Sequence, residues 1–140
     1  MDINLTEALL CTRTVGAHML ARRSGKVINI AAWTAHQGGR DNVIYTTAKT
    51  GLAGFTRAQA LEWAPYGLHV NAIGPGLFPH AVTSGEEGVA RLSTKRAREQ
   101  VPLGRPGRLR EVGLLALYLA SAASNYVTGQ TILLDGGLGL

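Results

Sequence analysis

The sequence is short of several things, and each shortage closes off a class of protein. Its 140 residues hold a single cysteine, Cys11, which excludes an internal disulfide framework and any multi-cysteine metal site. A reducing compartment suits such a chain. No cluster of His, Asp and Glu has metal-ligand spacing, so no metal is expected. Charged residues are few, at 16% against 46% hydrophobic, which reads as globular rather than disordered. No apolar run approaches a membrane span. The segment Ala8-Leu9-Leu10-Cys11 lacks the basic start and the small residue that a lipoprotein leader needs. With no other targeting segment, the cytoplasm is the default location. Aromatic residues are also scarce, at 6%, and this bears on the net charge of +5. The basic residues fall at Arg22-Arg23, at 95–98 and at 105–110, with no interleaved rings on which bases could stack. They read as solvated helix faces and a basic loop, so no nucleic-acid partner is expected.

What the chain does have is alternation. Apolar positions Leu5, Leu9, Val15, Met19 and Leu20 recur at helical spacing over residues 5–23. Asn4 with Glu7 has capping-box spacing, and Gly25 supplies a stop. Residues 26–32 (KVINIAA) form a short apolar run suited to a parallel strand covered on both faces. A polar, glycine-rich loop follows at 37–42, then a helix over about 44–63, ended by Pro65 and Gly67. Residues 68–73 make a second strand, stopped by Gly74-Pro75-Gly76. A polar stretch at 79–88, a charged helix over 87–99 and a turn-rich connection at 102–107 come next. A helix over 109–122, a Thr128-Gly129 turn and a strand at 131–135 complete the order. Strands alternating with helices at this spacing predict one α/β domain over residues 1–140, with a parallel sheet of about three strands.

Within this frame, Tyr45-Thr46-Thr47-Ala48-Lys49 places a tyrosine and a lysine on one helical face, one turn apart. A tyrosine with a pKa of about 10 is a poor acid–base group at neutral pH. A neighbouring ammonium favours the phenolate, and the expectation is that Lys49 lowers the Tyr45 pKa.

The order of motifs resembles the second half of a short-chain dehydrogenase/reductase along nearly the whole chain. The carriers are Asn4, the strand KVINI, Tyr45-x-x-x-Lys49, Val70-Asn71-Ala72-Ile73 with Pro75-Gly76, Pro102-Leu103-Gly104-Arg105, and Thr128-Gly129-Gln130 with Asp135-Gly136-Gly137. Within the family the chain looks most like gluconate 5-dehydrogenases and 3-oxoacyl carrier-protein reductases. The resemblance implies a partial Rossmann-like, doubly wound sheet and hydride transfer between NAD or NADP and an alcohol or carbonyl substrate. Tyr45 would pass the proton, Lys49 would tune it and bond the nicotinamide ribose, and Asn4 would hold a connecting water. Pro75, Gly76 and the Phe78 backbone would border the nicotinamide, beyond the carboxyl ends of the strands where open α/β sheets bind ligands. Trp33, His36 and Gln37 lie where the resemblance puts substrate, and residues 77–100 would form a flap over it. Homo-oligomerisation through the helices at 5–23 and 44–63 is implied as well.

Three departures stand out. Thirteen residues before Tyr45, where the family carries a serine, stands Ala32. Thr34 would lie about 6.5 Å further along an extended strand, too far to replace it unless the chain bends. At position 80 the family's threonine, which bonds the cofactor carboxamide, is His80. Finally, no glycine-rich strand–turn–helix fingerprint precedes Asn4. The dinucleotide-binding half is therefore read as missing, and the chain by itself is expected to bind dinucleotide weakly and to be inactive. Asn4 as a plain N-cap and Pro75-Gly76 as a plain strand-stopping turn remain open alternatives. For function, the alternative to an enzyme is a non-catalytic relative that packs its first two helices on a full-length partner.

Overall fold

The computed structural model describes residues 1–79 and 95–140, the Asp2 side chain excepted. In chain order the elements are a wide helical turn of π type (Asp2–Thr6), α1 (Glu7–Arg22), β1 (Gly25–Ile30) and a single turn α2 (Thr34–Gln37). Then come α3 (Val43–Trp63), β2 (Leu68–Pro75), α4 (Leu109–Ala120) and β3 (Thr131–Leu134). Residues 95–100 are helical too.

The strands form one parallel sheet in the order β1-β2-β3. Gly25 lies opposite Leu68 and Ile30 opposite Ile73, while Ala72 lies opposite Thr131 and Pro75 opposite Leu134. Parallel neighbours need long crossovers; α3 connects β1 to β2, and α4 lies between β2 and β3 in the chain. The class expected from the alternating pattern, α/β with three parallel strands, is the class observed.

β2 is central, and Leu68, Val70, Ala72 and Ile73 are almost wholly excluded from solvent. Each larger side chain among these contributes about 1.5–3 kcal/mol by burial. The two faces of β1 are told apart by its polar residues. Asn29 donates to the Thr56 hydroxyl of α3 at 2.9 Å. Lys26, at the opposite parity, reaches the Ser124 hydroxyl at 2.7 Å and the Ser121 carbonyl just beyond α4. Helices therefore cover both faces of β1.

Several boundaries differ from the sequence expectation, each for a local reason. The chain enters α1 already in helical geometry, with φ −60° and ψ −42° at Thr6, so Asn4 sits inside helical backbone. A capping residue needs non-helical angles, and the N-cap alternative for Asn4 falls. α1 stops at Arg23 in the left-handed conformation (φ 52°), not at Gly25. The turn is closed by the Arg23 N–H to the Leu20 carbonyl and the Ser24 N–H to the Met19 carbonyl, and the Arg23 guanidinium donates to the Pro65 carbonyl at 2.8 Å and lies over the Tyr66 ring. β1 ends at Ile30 rather than 32, because the chain bends at Trp33 (φ −58°, ψ −34°) into the α2 turn. α4 ends at Ala120 because Ser121 is extended and its hydroxyl accepts from the Ala123 N–H at 3.2 Å. His80, the polar stretch at 80–88 and most of the helix expected at 87–99 lie outside the described residues.

Candidate active site

Tyr45 and Lys49 occupy the first two turns of α3. The Lys49 ammonium donates to the Ile30 carbonyl at 2.7 Å and lies 5.8 Å from the centroid of the Tyr45 ring. One residue on, the Thr50 hydroxyl donates to the Ala35 carbonyl at 3.3 Å. This part of α3 is thus fastened to the chain on both sides of Ala32, which is buried at 4% exposure. The main chain continues along β2 past Ala32: Ala31 N–H donates to the Ile73 carbonyl at 2.8 Å, and Trp33 N–H to the Pro75 carbonyl at 3.0 Å. Tyr45, Lys49, Ala32 and Pro75 therefore converge on the carboxyl ends of β1 and β2, the end at which open α/β sheets bind ligands.

Asn4 joins them from the first turn. It shares with Tyr45, Ala48 and residues 41–44 an open cleft of about 580 Å³. Gly76 and Phe78 lie just beyond the end of β2. Gly76 N–H donates to the Leu134 carbonyl at 3.0 Å, and a Cβ on Gly76 would fall 2.6 Å from the Asp135 Cα. Only a glycine lets the β2 and β3 ends approach so closely.

The electrostatics depart from expectation in one respect. Burial pushes the Tyr45 phenol above its ordinary value of 10.0 and the Lys49 ammonium below its ordinary 10.5. Burial therefore sets the direction of the Tyr45 shift, opposite to the lowering expected from Lys49, whose ammonium donates to the Ile30 carbonyl. An ammonium has three donors, so two remain for a further partner.

Thr34 follows the bend at Trp33 and so does not continue the strand. It is 6% exposed, at the head of α2, and its hydroxyl has no partner among the described residues. Its methyl faces Gly39 rather than solvent. Trp33 is half-buried, whereas His36 and Gln37 are exposed; the Gln37 amide donates to the Gly139 carbonyl, tying α2 to the C-terminal residues. No group of His, Cys, Asp and Glu among the described residues could hold a metal. No described helix is long and apolar enough to cross a membrane.

Other residues hold the strands and loops around the site. Asn71, 2% exposed, donates to the Val127 carbonyl at 2.9 Å and accepts from the Gln130 N–H at 3.0 Å. Thr128 and Gly129 bond the two main-chain groups of Val70. The Val70-Asn71 and Thr128-Gly129-Gln130 motifs are thus two halves of one lock that sets β3 beside β2. A second lock joins Arg105 to Glu111 at 2.7 and 3.1 Å, and the same carboxylate accepts the Arg108 N–H at 2.8 Å. These bonds hold the Glu111 carboxyl at about 2, well below its ordinary range. The Arg108-x-x-Glu111 spacing at a helix start was the available signal.

Comparison with known proteins agrees with this geometry. The family described as Enoyl-(Acyl carrier protein) reductase matches residues 1–139. A 2-dehydro-3-deoxy-D-gluconate 5-dehydrogenase of Bacillus subtilis is 40% identical over 140 residues, covering 98% of this chain and 54% of the relative. Among solved structures, a 3-oxoacyl-[acyl-carrier protein] reductase from Brucella melitensis with bound NAD superposes with a TM-score of 0.84 at 29% identity. It covers 99% of this chain and 50% of the other. An actinorhodin polyketide ketoreductase with NADPH gives a TM-score of 0.85 at 33% identity, covering 97% and 56%. The chain spans about half the length of the relatives it matches.

Proposed function

The chain belongs to the short-chain dehydrogenase/reductase family, and from that premise we propose that it carries the acid–base half of a nicotinamide-dependent oxidoreductase. Residues 1–140 form the carboxyl-terminal half of one Rossmann-type domain in this reading. Tyr45 passes the proton to or from the substrate oxygen. Lys49 holds the nicotinamide ribose with the two donors that Ile30 leaves free. Asn4, in the shared cleft, holds a water that links this pair to solvent. Pro75, Gly76 and the backbone of Phe78 border the nicotinamide. The cofactor supplies the hydride, and the protein supplies placement and a tuned acid. Two relatives with bound NAD and NADPH support either form of the cofactor. The substrate is an alcohol or its carbonyl.

One observation carries the proposal: Tyr45 and Lys49 sit one helical turn apart at the carboxyl ends of two parallel strands, with the ammonium 5.8 Å from the ring centroid. The test is hydride transfer by the gene product, followed through nicotinamide absorbance with a panel of alcohols and ketones, in wild type and Tyr45→Phe. Loss of transfer in the variant alone supports the reading; equal rates overturn it.

A second reading rests on Ala32. With a buried methyl where the family holds a hydroxyl, the chain fits a non-catalytic relative that associates through α1 and α3. Those helices present Leu10, Val15 and Leu61 to solvent. The same surface serves homo-oligomerisation in the first reading.

A further inference from the structure

The segment that follows β2 is held from two sides. On the sheet side, Gly76 is bonded to Leu134 and pressed against Asp135. On the other side stands Gly107, thirty-one residues on from Gly76. Its N–H donates to the Leu77 carbonyl at 2.9 Å. A Cβ on Gly107 would lie 2.3 Å from both Cε1 and Cζ of Phe78. Carbon atoms rest at about 3.5–4.0 Å, so any side chain there displaces the ring. The backbone of Gly107 is outside the left-handed region, so what the position requires is space and not conformational freedom. The loop that carries Gly107 is itself fixed. Arg105 before it and Arg108 after it are both bonded to the Glu111 carboxylate in the first turn of α4.

We propose that Gly107 is a positioning residue for the cofactor site, holding the Leu77–Phe78 backbone in place through its N–H and through the space it leaves for the Phe78 ring. The inference rests on the reading of Phe78 as a border of the nicotinamide. It adds a residue on a distant loop that touches neither the cofactor nor the reacting atoms. A cavity of about 110 Å³ adjoins Phe78, Leu103, Arg105 and Gly107, so a displaced ring has somewhere to go. Substitution at Gly107 therefore moves the segment rather than unfolding the protein.

The test compares Gly107→Ala with Gly107→Ala/Phe78→Leu in the gene product, with Gly113→Ala as control, since a Cβ on that exposed α4 glycine meets nothing within 4 Å. Cofactor Kd is read by NADH and NADPH fluorescence titration, beside kcat and the thermal midpoint. Gly107→Ala, which keeps the N–H but crowds the Phe78 ring, is expected to weaken cofactor binding about tenfold, with a smaller change in kcat. The double variant, which removes Cε1 and Cζ and leaves only Cδ positions on a shorter side chain free to rotate away, is expected to regain most of that loss. Unchanged affinity in Gly107→Ala overturns the inference, as does a loss that Phe78→Leu fails to rescue. If the wild type itself binds neither cofactor, the functional reading fails and this inference falls with it. Wild-type binding with no response at Gly107 removes the inference alone.

Discussion

The Lys49 ammonium is hydrogen-bonded to the Ile30 carbonyl at 2.7 Å, at the last residue of β1. This bond spans nineteen residues and fixes the lysine beneath the end of an edge strand, with Tyr45 one turn before it on α3. The arrangement sets the protonation of both groups in opposite directions through burial.

The Tyr45 phenol should therefore titrate above its ordinary 10.0 in cofactor-free protein. Ultraviolet difference titration of wild type against Tyr45→Phe isolates it. In Lys49→Met the phenol should remain above 10.0, because burial and not the lysine sets its position. Proton donation needs the neutral phenol, so carbonyl reduction should be flat through neutral pH and fall only on the alkaline side. The two groups also act oppositely on stability. The lowered Lys49 pKa adds stability as pH rises towards 10.5, and the raised Tyr45 pKa removes it above 10.0. Lys49→Met should leave only the alkaline loss.

Ala32→Ser tests whether a working site is present to improve. Ala32 is buried between two fastenings of α3, so a hydroxyl placed there has a fixed position. A rate gain of about a hundredfold is expected, the reverse of losing one such donor. Steady-state turnover against an unchanged Thr34→Val background separates this from any effect of the buried Thr34 hydroxyl. No gain at all favours the non-catalytic reading.

Asn71→Ala removes the two side-chain bonds that Asn71 adds to the lock between β2 and β3, and leaves the Gln130 N–H and Val127 carbonyl without them. A destabilisation of about 2–3 kcal/mol is expected. Urea unfolding of the variant measures it. A change below a few tenths of a kcal/mol would mean that the loop at 127–130 finds other partners.

The Arg105–Glu111 lock predicts acid sensitivity. The Glu111 carboxyl falls from its ordinary 4.5 to about 2 on folding, so its contribution is present above 4.5 and is lost as pH drops towards 2. Glu111→Gln should be less stable than wild type at neutral pH and flatter across that window. Thermal midpoints taken from pH 7 down to pH 2 show whether the two curves converge.

Much of this architecture was legible in the residues. The second strand expected at 68–73 is β2, and Tyr45 and Lys49 fall on one helical face by spacing alone. The bend at Trp33 was not legible: nothing in residues 31–34 marks it, and only the turn bonds from Ala35, His36 and Gly38 back to residues 32–34 show the chain leaving the strand. Nor was the cap at Arg23, since an arginine does not mark a left-handed position, and its side-chain partners Pro65 and Tyr66 lie forty-two and forty-three residues on. The sign of the Tyr45 shift was missed for a similar reason. Spacing places a lysine near a tyrosine, but the burial that raises the phenol comes from the packing of other elements. Gly107 is the same case again, because a glycine needed for space looks identical in sequence to one needed for a turn.

The central claim is that Tyr45 is the proton-transferring group of a nicotinamide-dependent oxidoreductase. Its most direct test is hydride transfer by the gene product with Tyr45 intact and as Tyr45→Phe, with cofactor affinity measured on both. The account predicts a loss of about 10²–10⁴ in turnover, with cofactor Kd changed by no more than a few-fold. Turnover that survives in Tyr45→Phe, with the cofactor bound as in wild type, would contradict it.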